Sequence, residues 1–132
     1  MDVQIELYDE RERVVTTITV EQIAANSFKM IGNEIINCDL TKGTEFETTI
    51  NKNGQHEIKR ILRQSEFTTR RFCLSPKDKI DDYRMLGDEL IKRGGFWQID
   101  FASYLTINIP KDFEFDLDTV INDLGLNINE LK

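Results

Sequence analysis

Residues 58–110 read IKRILRQSEFTTRRFCLSPKDKIDDYRMLGDELIKRGGFWQIDFASYLTINIP, and their order decides the fold. They spell strand, strand, helix, strand, strand. In residues 68–74, Arg70, Phe72 and Leu74 alternate with Thr69, Arg71 and Cys73, the two-residue period of a strand. Ser75-Pro76-Lys77-Asp78 reads as a helix start, with Ser75 as cap, Pro76 at the first helical position and Asp78 at the positive end of the dipole. Ile80, Tyr83, Leu86 and Leu90 then share one face at helical spacing, while Asp81, Asp82, Asp88 and Lys92 face water. Gly94-Gly95 ends the helix. Two strands follow, the second with Leu105, Ile107 and Ile109 alternating against Tyr104, Thr106 and Asn108, and Pro110 as its stop.

Downstream, an acidic and aromatic link leads to a short helix capped by Asp116 and closed by Gly125. Leu117, Val120, Ile121 and Leu124 form its apolar face, and residues 127–131 are expected to add one helical turn. The β-α-β-β-α order from residue 68 is most of a ferredoxin-like unit, assigned here to about residues 56–132.

Upstream the chain is β-rich. Val3, Ile5 and Leu7 alternate with Gln4, Glu6 and Tyr8, and Val14, Thr16, Ile18 and Val20 repeat the pattern after the polar run 9–13. These two segments form a hairpin. Residues 21–39 read as brief strands cut by Asn and Gly. Phe46, Thr48 and Ile50 mark another strand, and Asn53-Gly54 reads as a type I′ turn into the strand 57–65. The expectation is one α+β domain: an antiparallel sheet with two helices, a β-rich lobe over about residues 1–55 and the ferredoxin-like part after it.

Composition fits a soluble globular chain, with 39% apolar and 31% charged residues among 132. No apolar run approaches the ~18 residues that a membrane span needs, and the N-terminus lacks the pattern of a signal peptide. Cys38 and Cys73 are read as buried, reduced thiols, which with the rest points to the cytoplasm. Net charge is −7, split into +4 over residues 52–93 and −11 elsewhere. Such acidity disfavours nucleic acid and anionic membrane as partners and suits a basic protein.

No arrangement points to catalysis. His56 stands alone after a turn, is read as exposed, and has no companions with which to build a zinc site. Neither cysteine has a base beside it. No glycine-rich loop precedes a helix, and no cofactor or metal is expected. Two charged clusters remain. Arg60, Arg63, Arg70 and Arg71, with Lys59, lie on strands read as neighbours; they form either an anion or nucleotide site or pairs with Glu45, Glu47 and Glu66. Asp112, Glu114, Asp116 and Asp118 lack the ligand order of a calcium loop, and with Phe113 and Phe115 they offer carboxylates to a basic protein.

Several segments together resemble a bacterial family, domain of unknown function 4265. They are Glu21-Gln22-Ile23-Ala24-Ala25, Asn33-Glu34-Ile35-Ile36, Gly43-Thr44-Glu45-Phe46, the turn 65–71 and the strand 105–110. Ile23 stands where the family has Trp, and Glu34 where it has Pro. The resemblance implies a compact α+β fold and carries no activity with it. The functional expectation is therefore a non-catalytic binding protein, most simply an immunity-type inhibitor whose acidic face covers a toxin or effector. A small-ligand binder using the arginines is the alternative.

Overall fold

The computed structural model describes residues 2–37, 39–78, 80–112 and 116–131, with no account of the Ile80 side chain. The fold is α+β, and the chain divides into two compact units, Met1–Glu66 and Phe67–Lys132.

The first unit is a closed five-stranded barrel. Strands β1 (Asp2–Asp9), β2 (Val14–Ala24), β3 (Ser27–Met30), β4 (Glu45–Ile50) and β5 (His56–Arg63) follow one another as an antiparallel meander. A parallel pairing of Leu7 with His56 joins β1 to β5 and closes it. Alternation in β1 and β2 sends Ile5, Leu7, Ile18 and Val20 inward, where they meet Phe28, Met30 and Phe46. Phe28 and Phe46 pack tilted, with ring centroids 5.9 Å apart. Leu40 completes this core from the long β3–β4 loop, whose ends are joined by hydrogen bonds from Met30 N to Thr44 O and from Gly43 N to Met30 O.

Strand β5 belongs to this barrel, so the division of the chain falls at residue 66 rather than near 55. Its IKRILR sequence, read as a strand, lacks strict alternation because the pairing with β4 shifts register twice. Glu47 faces Arg60 while Thr48 faces Ile58, and Glu45 faces Arg63 while Phe46 faces Ile61. Lys59 and Leu62 are the extra residues. Each bulge bends the strand, which a small closed barrel requires. Ile58 and Ile61 thereby pack against the core although they lie three apart.

The β4–β5 connection is not the type I′ turn expected at Asn53-Gly54. Of that pair only Gly54 takes positive φ, at 77°. Gly54 N donates to Asn51 O, and the Asn51 side-chain oxygen accepts from Asn53 N and Gln55 N. This is a three-residue loop ending in a glycine bulge, organised by an asparagine that precedes the Asn-Gly signal.

The second unit runs β6 (Phe67–Cys73), α1 (Ile80–Lys92), β7 (Phe96–Asp100), β8 (Tyr104–Pro110), α2 (Leu117–Leu124), β9 (Asn129–Leu131). Its strand order is β7-β8-β6-β9 with antiparallel neighbours, the complete ferredoxin-like arrangement. The segment expected as an extra helical turn is β9, which pairs Asn129 with Cys73 and Leu131 with Arg71. Backbone hydrogen bonding to an otherwise open edge of β6 outweighs its local sequence preference.

Helix α1 begins at Ile80, later than Ser75-Pro76 suggested. Ser75 instead organises a turn: Asp78 N donates to its carbonyl and Lys77 N to its Oγ. From Tyr83 onward the expected face holds, with Tyr83, Leu86 and Leu90 buried. Gly94 and Gly95 close the helix by donating to Ile91 O and Leu90 O, a Schellman ending with Gly94 at φ 80°. Gly125 and Leu126 repeat the device on α2.

Phe72, Leu105, Ile107, Ile109, Leu86, Leu90 and Leu117 form the core of this unit. Thr106 and Asn108, on the polar side of the alternation, are also fully buried. Both sit on the central strand, and Asn108 Nδ2 donates to Thr69 Oγ1 at 2.8 Å across the β6–β8 pair. Among the described residues, no helix is long and apolar enough to cross a membrane.

Candidate functional site

Alternation along β6 puts the two arginines on opposite faces, as the period of residues 68–74 indicates. Arg70 lies on the face that carries Phe72, Arg71 on the opposite one. Arg70 Nε and Nη2 donate to the two carboxylate oxygens of Glu130 at 2.7 and 2.8 Å, and Nη2 also reaches Asp118 Oδ1 at 2.9 Å. The Glu130 bonds first, then Asp118, hold the guanidinium proton more firmly than usual. The guanidinium also lies 5.4 Å from the Phe72 ring centre. Arg71 donates to Thr106 Oγ1 at 3.3 Å and lies over the Tyr104 ring.

The other two arginines belong to the barrel, not to a strand beside β6. Arg60 pairs with Glu47 at 2.8 Å, with Lys59 at the longer distance of 3.9 Å. Arg63 reaches Glu66 at 3.0 Å and Glu45 at 3.9 Å. The cross-strand pairs with Glu45 and Glu47 and the local pair with Glu66 are thus formed, and Arg60, Arg63, Arg70 and Arg71 do not share one sheet.

Of the acidic group, Glu114 lies outside the described residues, together with Phe113 and Phe115. Asp112 is exposed in the turn after β8. Asp116 caps α2: its carboxylate accepts from Thr119 N at 3.1 Å and Thr119 Oγ1 at 2.7 Å. Those two bonds hold its carboxyl below the usual carboxylate range. Asp118 is the partner of Arg70. Asp116 and Asp118 therefore have structural work within this unit.

His56 is a strand residue and half-buried, not an exposed turn residue. Its Nδ1 lies 2.7 Å from Thr48 Oγ1, and its ring meets Phe28 edge-on at 5.2 Å. Burial pushes its pKa below the ordinary 6.5. Closure of the barrel at the Leu7–His56 pair brings the ring to this position, which no local signal announces. Cys73 is a free, exposed thiol at the end of β6 rather than a buried one; Cys38 lies outside the described residues. Among the described residues, no group of three or more His, Cys, Asp or Glu is placed to hold a metal ion.

Two features escaped the sequence reading. The first is on the barrel exterior, where Asp2 and Glu21 stand directly opposite each other across β1–β2. Asp2, Gln4 and Glu6 share that face with Thr17, Thr19 and Glu21, all exposed, and Val15 and Ile23 extend the β2 row at 37% and 49% exposure. Opposed like charges cost stability in a sheet. The signal was available in principle, because the hairpin register follows from the alternation of both strands.

The second is a cavity of about 280 Å³ within the second unit, lined by Leu74, Ser75, Pro76, Asp78, Tyr83, Ile99, Ala102 and Ser103. Tyr83 Oη lies 3.1 Å from both Ser75 O and Asp78 Oδ2. Asp78 also accepts from Asn127 N at 2.7 Å and Asn127 Nδ2 at 3.0 Å. The Asn127 backbone bond leads the causes that keep the Asp78 carboxyl below its ordinary range. Burial first, then the Asp78 bond, raises the Tyr83 phenol. Only the three-dimensional meeting of residues 49 positions apart creates this network.

No family model matches the chain, and no curated protein matches it. Among solved structures, it is similar to a hypothetical protein from Neisseria gonorrhoeae, with 16% identity and a TM-score of 0.62 over 95% of this chain and 87% of the other. At that identity the likeness shows the fold alone.

Proposed function

We propose that this protein acts by binding, not by catalysis, and that its partner is a basic protein met in the cytoplasm. The specific form is an inhibitor of the immunity type, which covers a basic effector surface. The observation that carries this reading is the Asp2–Glu21 pair. The barrel pairs Glu47 with Arg60 and Glu45 with Arg63, whereas on β1–β2 Asp2 faces Glu21, whose neighbour on the other side is Lys29 of β3, and Glu6 adds to the same face. Asp2, Glu6 and Glu21 gathered on one exposed face suit a cationic surface, and the net charge of −7 would accelerate the encounter. Exposed Val15 and Ile23 give the face apolar ground on which an interface core can form.

The arginines favour this reading over an anion site, since Arg60, Arg63 and Arg70 hold carboxylates of their own chain. The acidic group at 112–118 ranks below the β1–β2 face because Asp116 and Asp118 are committed to the cap and to Arg70.

The test is native mass spectrometry of the protein isolated from the cells that encode it, beside a variant with Asp2→Lys, Glu6→Lys and Glu21→Lys. A stoichiometric basic protein on the unaltered chain, lost from the folded variant, is the expected result. Retention of the same protein by the variant would exclude this face; a complex with a nucleic acid or an acidic protein would exclude the reading.

A further inference from the structure

The cavity in the second unit has an asymmetric chemistry. Tyr83, only 4% exposed, forms its floor, and half-buried Leu74 and Ile99 form its walls. Pro76, Ala102 and Ser103 are exposed at the rim. One edge is polar: Ser75, the Tyr83 hydroxyl and the Asp78 carboxylate are joined by hydrogen bonds. Among the described residues, every partner seen on Asp78 is a neutral donor, namely Asn127 N, Asn127 Nδ2 and Tyr83 Oη, so its charge is solvated by dipoles. Asp82 adds a second negative field at the Tyr83 hydroxyl. Among the described residues, no Lys or Arg lines the cavity; Lys77 is exposed in the turn beside Asp78.

The rim is held in an unusual conformation. The β7–β8 turn places Phe101 at φ 54° and Ala102 at φ 58°, where glycine or asparagine is the unstrained choice. Strain of this sort concentrates where a protein must present particular side chains. Here it sets Ala102 on the cavity rim and leaves Phe101 81% exposed beside it.

We infer that this cavity binds a small organic cation, an apolar or aromatic body bearing a protonated amine, with the apolar part against Leu74, Ile99 and Tyr83 and the ammonium at Asp78. Size sets an upper limit, since about 280 Å³ lies just below the range of pockets that hold drug-sized ligands. Charge sets the sign: a carboxylate at the cavity edge favours an amine over a neutral or anionic analogue of equal shape. This inference concerns a different site from the β1–β2 face and stands without it.

The experiment uses the full chain and three probes of matched shape: 2-phenylethylamine, 2-phenylethanol and 3-phenylpropionate. Each is titrated while amide and side-chain resonances of Tyr83, Ile99 and Ala102 are followed by NMR. The expected result is saturable perturbation of those residues by the amine, at least about tenfold tighter than by the alcohol, with none by the carboxylate. Asp78→Asn keeps an oxygen for Asn127 and Tyr83, and it should remove the preference for the amine over the alcohol. Equal binding of amine and alcohol to the unaltered protein would overturn the inference, and so would the absence of saturable change at these residues with all three probes. Because the comparison is made on unaltered protein, it does not depend on the variant folding.

Discussion

The two units use charge in opposite ways. On the barrel, ionic contacts are short-range consequences of register: Glu47 with Arg60 and Glu45 with Arg63 are cross-strand neighbours whose arginines are more than 60% exposed. In the ferredoxin-like unit, beside local pairs along α1 such as Arg84 with Asp81, charge also links elements far apart in sequence. Arg70 on β6 joins Asp118 on α2 and Glu130 on β9, and Asp78 before α1 holds Asn127 after α2. A closed barrel satisfies its backbone through its own ladder and needs ions mainly for solubility. An open sheet whose last strand has three residues requires something beyond its ladder to hold that strand, and the Arg70–Glu130 pair supplies it.

The largest effect that tests this contrast lies outside the charges altogether. If the open unit is tied chiefly by polar contacts, crowding its helix–sheet packing should matter little. Gly87 on α1 faces Trp97 on β7 so closely that a Cβ would enter the indole ring. Gly87→Ala improves helix propensity by up to ~1 kcal/mol, yet it should lower stability by about 1–3 kcal/mol through overpacking. Urea unfolding measures this. A midpoint raised by Ala would show that the ring shifts freely and that apolar packing here is loose.

A smaller effect compares like with like. Arg70→Met should cost about 1 kcal/mol, because two carboxylates lose a charged donor and β9 loses its tie. Arg60→Met, with a side chain 61% exposed, should stay within about 0.5 kcal/mol. Hydrogen exchange at the amides of residues 129–131 should rise only in the Arg70 variant. Equal costs for the two would erase the distinction between register pairs and long-range ties.

The smallest effect belongs to the barrel. His56 has a folded pKa below its ordinary 6.5, so the unfolded chain binds its proton more tightly. The stability contributed by neutral His56 is therefore complete above about 6.5 and is lost as pH falls from there through the folded value. Thermal midpoints between pH 7.5 and pH 5 should fall more for the unaltered protein than for His56→Gln. Parallel profiles would mean that the ring accepts a proton without disturbing Thr48 or Phe28. Asp78 and Asp116, held below their usual range, act in a lower window near pH 4 and leave this comparison clear.

Legibility followed the range of the interactions. Period-two alternation in β1, β2, β6 and β8 exposed those strands, and the helical spacing of Tyr83, Leu86 and Leu90 exposed α1. Strand β5 was legible as a strand but not as a member of the barrel, because its two bulges break the period that would show its inward face, and β9 was missed because three residues that pair at a sheet edge carry no period. The opposite faces of Arg70 and Arg71 were legible from the alternation, whereas the placement of Arg60 and Arg63 in a separate sheet was not. The Asp2–Glu21 opposition could have been found from hairpin register, whereas the Asp78–Tyr83–Asn127 network could not, since no local rule relates residues 78 and 127.

By itself the sequence determined the α+β class, the position and caps of α2, the glycine ending of α1 and the acidic balance of the chain. These follow from local stereochemistry and composition, which act within a turn or along one strand. Tertiary structure alone decided that β5 closes a barrel with β1, that β9 completes the second sheet, and that Asp78, Tyr83 and Asn127 meet beside an apolar cavity. Those outcomes depend on which distant groups satisfy one another's hydrogen bonds and bury one another's surface, and that is settled only when the whole chain is packed.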